Sequence, residues 1–286
     1  MASAVTLEDA LHHLAATPYG KYARATAGLP ETQRAVSATL LWHLRVLAGW
    51  LPPGGARLMR PLAAGFEVAN VASRLSAQDG PARTPQTQRW QPYRLGALET
   101  AWRTLERAAT PAELRTALAA SPWGDPGADT PWAVVTGMRM AAARLTSAAV
   151  PPARRWAQGR AALLTARELF VHQRRLPGPV RRNAAELLGS RAVDAPSFRD
   201  FRDRLPSAAR WVLEDVEEPG ELWRAEARWW RVIDQDGVGM LRDGRFGPQS
   251  VVGAVAVLSV DAWRVRAALE SAARGGRPLE EFDALV

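Results

Sequence analysis

TLEDALHHLAATPYG, residues 6–20, and TPAELRTALAASPWG, residues 110–124, repeat each other along the chain. Six of the fifteen positions are identical, and three further pairs keep their chemistry: Asp9 and Glu113, Thr17 and Ser121, Tyr19 and Trp123. Each copy begins with a threonine and an acid three residues later, the capping box that starts a helix, and ends in hydroxyl-Pro-aromatic-Gly, which stops one. The spacing of 104 residues is far longer than a solenoid repeat. The pattern therefore predicts one helical unit that occurs twice within a larger body.

A weaker third copy follows at about the same spacing, in the sequence SFRDFRDRL of residues 197–205. Ser197 and Asp200 restate the capping box, and Leu205 falls where Leu14 and Leu118 fall in the first two copies. The Pro-aromatic-Gly ending is missing. Because capping boxes are common at helix starts, this segment is either a third copy or an ordinary helix beginning.

The composition indicates a folded globular chain. With 286 residues, of which 47% are apolar and 23% charged, the chain is long enough to bury a sizeable core. The longest apolar run, Val251–Leu258, is far shorter than the roughly 20 residues needed to span a bilayer, so we expect no transmembrane segment. The first residues lack the basic start and apolar core of a secretory signal, which makes the cytoplasm the expected compartment. The absence of cysteine excludes disulfides and thiol catalysis.

The charge balance is strongly basic, with a formal net charge of +8 and Lys21 as the only lysine among 37 basic residues. Such a balance favours an acidic partner, which could be a nucleic acid, an anionic membrane surface or an acidic protein. The arginines are spread along the whole length and do not form a basic arm. Solvated helix faces are the simpler interpretation of this spread.

Apolar residues recur at steps of three and four almost throughout, which predicts an all-α fold. Val36, for example, begins a stripe that continues to Leu51, and Pro52–Gly55 is expected to end that helix. A proline-rich polar segment, residues 78–92, is the first predicted boundary. Residues 251–269 form a heptad-like seam that we expect to pack within the molecule. Helices are predicted over residues 31–50, 58–69, 95–105, 131–148, 156–170, 181–188, 221–241 and 247–274.

Two groups of residues are candidate structural or interface sites. Glu67, Asn70 and Arg74 lie on one helical face at spacings of three and four, so they are expected to form a linked polar cluster. The group lacks a second carboxylate or a histidine nearby in sequence, which argues against acid/base catalysis. A structural or docking patch is the favoured interpretation.

The second group lies on a tryptophan-rich helix. Trp223 and Trp230 are seven residues apart on one face, while Arg224 and Arg228 occupy another. Aromatic stripes at helical spacing usually belong to the core, but Trp and Arg are also enriched at interface hot spots. Both a core role and an interface role are therefore open for this helix.

No pattern of catalytic or ligand-binding residues is found. The four histidines lack the spacing of a zinc pair. Residues 234–239, DQDGVG, imitate the start of a calcium loop, but Val238 and Arg245 stand where that loop needs oxygen ligands. The same glycines fail the dinucleotide fingerprint, and no phosphate-binding loop is present. The sequence therefore predicts no catalytic, metal or cofactor site, no small-molecule substrate and no enzyme activity.

Four segments are informative through their order and spacing. They are residues 7–19 (LEDALHHLAATPY), residues 66–70 (FEVAN), the turn of residues 121–124 (SPWG), and the Trp-rich helix followed by residues 253–266. Together they resemble the d subunit of eukaryotic V-type ATPases and its counterpart, the C subunit, in the archaeal and bacterial A/V-type enzymes. In that family an opening helix leads to a Thr/Ser-x-Tyr turn, and an aromatic-Glu-x-x-Asn helix follows. The resemblance covers nearly the whole chain, and the proline-rich stretch after Asn70 marks a divergent branch.

The resemblance implies three similar helical lobes around a pseudo-threefold axis that together form a funnel. On this expectation the lobes span residues 1–92, 93–195 and 196–286. It further implies a non-catalytic coupling subunit, peripheral to the cytoplasmic face of the membrane. Its partners would be the membrane rotor ring and the central-stalk subunits, and it would couple ATP hydrolysis or synthesis to ion translocation.

Two competing functions come from other classes of protein. The charge of +8 is compatible with an arginine-rich helical nucleic-acid-binding protein, whose affinity would fall steeply with salt. A helical enzyme whose site assembles from distant residues is the third hypothesis, and no constellation in the sequence favours it.

Overall fold

The computed structural model describes residues 6–21, 27–79, 91–243 and 247–275, and these contain helices and no strands. The all-α prediction is therefore confirmed for the described part of the chain. In chain order its α-helices are α1 (Leu7–Ala15), α2 (Leu29–Trp50), α3 (Pro53–Asp79), α4 (Trp102–Leu105), α5 (Pro111–Ala119), α6 (Pro131–Ala149), α7 (Arg154–Ala166), α8 (Gly178–Leu188), α9 (Ser190–Val193), α10 (Phe198–Arg204), α11 (Ser207–Arg210), α12 (Leu222–Arg242) and α13 (Pro248–Ala273).

The chain divides into two compact units. The terminal unit comprises Met1–Trp50 and Glu226–Val286, and the central unit comprises Leu51–Ala225. The terminal unit contains α1, α2, α13 and most of α12, whereas the central unit contains α3 to α11. These units have other boundaries than the three expected lobes, and the pseudo-threefold arrangement stays a prediction.

Most of the long helices begin and end close to their predicted bounds, but α3, Pro53–Asp79, extends well beyond the predicted residues 58–69. The helix predicted over residues 31–50 is α2, Leu29–Trp50, and the last predicted pair corresponds to α12 and α13. The helix predicted over residues 156–170 is α7, which continues into a π-helical turn at Arg167–Val171. The boundary predicted at residues 78–92 lies largely outside the described residues.

One local prediction is wrong. The single helix predicted over residues 95–105 is replaced by a short 3-10 turn, Gly96–Leu98, and by the four residues of α4. The backbone N–H groups of Thr100 and Ala101 donate to a side chain of α3, so they are not available for a continuous helix. Pro52–Gly55 was expected to end the preceding helix, and α2 does end just before it, at Trp50, although α3 already begins at Pro53. A proline in the first helical turn loses no backbone hydrogen bond.

The core of the terminal unit forms where α13 meets α1 and α2. Its buried members are Ala10, Leu14, Tyr19, Val36, Ala262, Leu269 and Ala272, and half-buried Leu7, Leu29, Leu40 and Val265 pack against them. Ala262, Val265 and Leu269 are three residues of the predicted heptad-like seam. This half of the seam therefore packs inside the molecule, as the sequence predicts.

The core of the central unit is built around α6. This helix contacts α3, α7 and α8, and Ala133, Val134, Met138, Met140 and Ala141 are each at most 1% exposed. Their positions cover a broad arc of the helix instead of a narrow stripe, which is typical of a helix that packs against several others. Within the described ranges, none of the helices has both the length and the apolarity needed to cross a membrane.

Candidate functional site

The two copies of the repeat begin with the same hydrogen bond. The hydroxyl of Thr6 accepts from the backbone N–H of Asp9 at 3.1 Å, and the hydroxyl of Thr110 accepts from that of Glu113 at 3.2 Å. The third copy begins in the same way, since Ser197 accepts from the N–H of Asp200 at 3.1 Å. The N-cap hydrogen bond of all three predicted capping boxes is confirmed.

The ends of the first two copies also match bond by bond. The hydroxyl of Thr17 donates to the carbonyl of Leu14 at 2.7 Å and accepts from the N–H of Tyr19 at 3.3 Å. Ser121 makes the corresponding bonds in the second copy, at 2.8 and 3.2 Å. The third copy keeps only the buried leucine, because Leu205 is 1% exposed and α10 ends one residue before it.

The aromatic residue that closes each copy donates to a carboxylate on a long helix. The Tyr19 hydroxyl donates to Asp261 Oδ2 at 2.6 Å within the terminal unit. Trp123 Nε1 donates to Glu67 Oε1 at 2.7 Å within the central unit. Tyr19 is 8% exposed and Trp123 is 2% exposed. Both residues pack in the interior and are fixed by one side-chain hydrogen bond. The sequence did not indicate which carboxylate accepts it.

Glu67, the acid among the candidate site residues, is buried and hydrogen-bonded through both carboxylate oxygens. It is 1% exposed, and its two oxygens accept three N–H donors. Oε1 accepts from Trp123 and from the backbone of Ala101 at 2.7 and 2.9 Å, and Oε2 accepts from the backbone of Thr100 at 2.7 Å. Burial raises the pKa of Glu67, while the three hydrogen bonds oppose that shift.

Asn70 and Arg74 bind the same stretch of chain as Glu67. The Asn70 amide donates to the carbonyl of Tyr93 at 3.0 Å and accepts from its N–H at 2.6 Å. Arg74 Nη1 donates to the carbonyl of Leu105 at 2.7 Å. The polar stripe of α3 is thus linked through the backbone of residues 93–105. We call Glu67, Asn70 and Arg74 the clamp, since they hold a stretch that has little regular structure of its own.

The tryptophan-rich helix α12 divides its candidate residues between two environments. Trp230 stacks on Trp263 with ring centroids 5.1 Å apart, which makes it part of the packing between α12 and α13. The Arg224 guanidinium lies 5.2 Å from the ring centroid of Trp223 and also donates to Glu221 at 2.5 Å. Arg228 is half-buried. An interface role for Trp223, Arg224 and Arg228 stays a prediction.

The segment that imitates a calcium loop is helical. Residues 234–239 lie inside α12, and Asp234 accepts from Arg264 of α13 at 2.8 Å. Among the residues that the structure describes, no group of three or more His, Asp or Glu side chains could hold a metal ion. Asp234 therefore takes part in the pairing of α12 with α13.

One exposed feature was not identified from the sequence. Trp42, Val46 and Trp50 of α2 are 40%, 39% and 85% exposed, and they follow one another at steps of four along a helix face. We call these three residues the ridge. The apolar row predicted on the same helix, which begins at Val36 and recurs at steps of three and four, faces the core instead.

Tyr19 provides a pH-dependent test of the first turn. Burial, and then the hydrogen bond and charge of Asp261, raise the pKa of Tyr19 above its usual value of 10.0. A pKa raised on folding gives a contribution that is complete below pH 10 and is lost as the pH rises through the folded value. We expect Tyr19→Phe to lower the free energy of unfolding by about 1 kcal/mol at neutral pH, and the difference to shrink above pH 10. Urea unfolding at several pH values measures this, and a difference that stays constant above pH 10 would contradict it.

Comparison with known proteins adds no assignment: no protein-family model and no curated protein sequence matches the chain.

Proposed function

We propose that the chain is a non-catalytic coupling subunit of a rotary V/A-type ATPase. It would lie on the cytoplasmic end of the membrane rotor ring, receive the tip of the central stalk, and couple ATP hydrolysis or synthesis to ion translocation. In this role it binds other subunits and transforms no substrate. The proposal combines the family resemblance of the sequence with the local architecture of the repeated turns.

The observation that carries the proposal is the bond-by-bond match of the two repeated turns. Each copy is closed by an aromatic residue whose N–H or O–H donates to a carboxylate on a long helix, Tyr19 to Asp261 and Trp123 to Glu67. Because both copies share this hydrogen bond, they support a fold that arose by duplication of a helical lobe. The bond also suits a part that must keep its shape under load, because hydrogen bonds to a charged group are stronger than bonds between neutral groups.

The clamp gives further support. Residues 66–70 resemble the aromatic-Glu-x-x-Asn helix of the V/A-type proteins, and in this chain both polar residues of that motif bind backbone. Glu67 and Asn70 contact residues that are 23 to 56 positions away in sequence. Glu67 and Asn70 therefore hold together distant parts of the chain, which gives a structural reason for this motif to be kept in a divergent member of the family.

Native purification tests the coupling role. Membranes of the source cell are solubilised in a mild detergent, and the tagged chain is isolated and its partners identified by mass spectrometry. We expect rotor-ring, central-stalk and catalytic subunits in fixed proportion. Loss of the chain is expected to abolish ATP-driven ion uptake by membrane vesicles while ATP hydrolysis by the detached catalytic part persists. Elution of the chain without any of these subunits would contradict the proposal.

Nucleic-acid binding is the competing function, and ion pairing inside the chain disfavours it. Several arginines that would contribute to a basic surface bind acids instead, as Arg115 binds Asp125 at 2.9 Å and Arg264 binds Asp234 at 2.8 Å. We expect no steep dependence of DNA affinity on salt. A log–log slope that corresponds to several neutralised phosphates would favour the nucleic-acid function instead.

A further inference from the structure

The ridge is an exposed apolar row on a helix whose other side is buried. Trp42, Val46 and Trp50 occupy positions i, i+4 and i+8 of α2, so they project from one face over about 12 Å of helix length. On the opposite side Leu44 is 1% exposed. Trp50 alone leaves 85% of its surface accessible, and an exposed cluster with two tryptophans is unusual for a surface with no partner.

The first tryptophan of the ridge is held in place while it is still exposed. The Trp42 ring meets the ring of His43 edge to face, with centroids 4.9 Å apart. The Lys21 ammonium lies 4.9 Å from the centroid of the Trp42 ring. An aromatic side chain that is already fixed loses little conformational entropy when a partner binds. The ridge therefore has one preorganised anchor.

The surroundings of the ridge are basic. Between Glu31 and Glu67 the chain carries no acidic residue, so the whole ridge lies in an acid-free stretch. Arg45, next to Val46, is exposed, and so is Lys21 beside Trp42. The charge that complements this face is negative.

We propose that the ridge binds an acidic amphipathic helix of a partner protein. A row of large side chains at steps of four is the surface that interdigitates with the grooves of a second helix. Carboxylates flanking the apolar stripe of that helix would meet Lys21 and Arg45. A lipid surface fits less well, because a helix lying in a membrane needs an apolar face at least about 100° wide. Here the apolar row is one residue wide, and Arg45 and Gly49 are exposed beside it.

This inference rests on exposure and charge and does not depend on the coupling role. Its probe is a pair of labelled synthetic helices of about 20 residues, long enough to be helical in water. One has a leucine stripe flanked by glutamates, and the other has lysine in place of each glutamate. We expect the full chain to bind the acidic peptide at least about tenfold more tightly than the basic one, measured by fluorescence anisotropy. Equal affinity for the two peptides, or binding of neither, would overturn the proposal.

Substitutions in the full chain identify the surface. We expect Trp50→Ala to weaken binding of the acidic peptide at least about tenfold. Val171→Ala, at an apolar residue that is 45% exposed in the central unit, is the matched control and should leave the affinity unchanged. Arg45→Glu should weaken binding of the acidic peptide and strengthen binding of the basic one. Such a reversal does not arise from misfolding, so its absence would count against the proposal.

Other occupants of the ridge are separate outcomes. Residues 279–286 of this chain, LEEFDALV, are themselves acidic and apolar, and removal of residues 276–286 should leave the peptide affinity unchanged. A tenfold gain on that removal would assign the ridge to the chain's own terminus. A dimer that sedimentation detects and Trp50→Ala dissociates would assign it to a second copy. Binding to phosphatidylglycerol vesicles that requires Trp50 would assign it to lipid. Each of these results overturns the proposal of a protein partner.

Discussion

Glu67→Ala is expected to lower the free energy of unfolding by about 3–5 kcal/mol. The substitution leaves three N–H donors, those of Thr100, Ala101 and Trp123, without the oxygens that accept them. Each buried unsatisfied donor costs about 1–3 kcal/mol, and local relaxation recovers part of the sum. Urea unfolding followed by circular dichroism measures the loss, and an unchanged slope against urea would show that the compactness of both states is kept.

Glu67→Gln is the matched variant that separates hydrogen bonding from charge. The amide keeps the size of the side chain and one acceptor oxygen, and it removes a carboxylate whose burial raises its pKa. Because its NH2 group faces one of the three N–H donors, we expect Gln to cost less than Ala but still to lower the free energy of unfolding. Because the folded chain binds the Glu67 proton more tightly than the unfolded chain does, the stability of the wild type relative to Gln should fall as the pH rises above 4.5.

A control at an exposed acid completes this test. Glu31 lies in the first turn of α2 and is exposed, so Glu31→Ala should change the stability by no more than about 0.5 kcal/mol. If Glu67→Ala also stays within that range, the clamp does not hold residues 93–105 in the way that the hydrogen bonds indicate.

The sequence was sufficient where the determinants of structure are local. The capping boxes at Thr6, Thr110 and Ser197 each depend on residues within three positions, and the hydroxyl-Pro-aromatic-Gly endings depend on residues within one turn. The long helices follow from apolar periodicity, which is also a local signal. The all-α class was therefore within reach of sequence reasoning.

The sequence was insufficient where the partner is distant. The break at Thr100 follows from an acceptor on α3 that is 33 residues earlier, so apolar periodicity alone suggested a continuous helix over residues 95–105. Glu67, Asn70 and Arg74 were correctly placed on one helix face, but their common partner is a backbone stretch that no spacing rule identifies. Side-chain acceptors of this kind override local helix propensity.

The ridge was missed for a different physical reason. On α2 the row from Val36 and the exposed row from Trp42 both recur at helical spacing, and periodicity does not distinguish the face that meets the core from the face that meets solvent. At α12 the sequence favoured a core role for Trp230 and left an interface role open, and the residue stacks on Trp263. Exposure, and not residue type, separates the two cases.

The pairing of α12 with α13 depends on two glycines that approach each other closely. A Cβ atom on Gly253 would lie 2.8 Å from the carbonyl oxygen of Gly237 and 2.9 Å from Cβ of Met240. Carbon atoms do not approach backbone oxygen that closely without displacement of one helix. Gly237 was considered in the sequence as part of a possible ligand loop, and its structural role is to let the two helix backbones meet.

Gly253→Ala is accordingly expected to destabilise the chain by about 2 kcal/mol. Overpacking of a tight contact costs about 1–3 kcal/mol, and it outweighs the gain of up to about 1 kcal/mol that alanine brings to a helix interior. Gly239→Ala on α12 is the matched control, because Gly239 is exposed and a Cβ atom there meets nothing within 4 Å. Only the propensity term acts at that site, so Gly239→Ala should stabilise the chain by up to about 1 kcal/mol. Opposite signs in urea unfolding would establish that the helices meet at Gly253, whereas stabilisation by both substitutions would mean that α12 and α13 do not approach each other there.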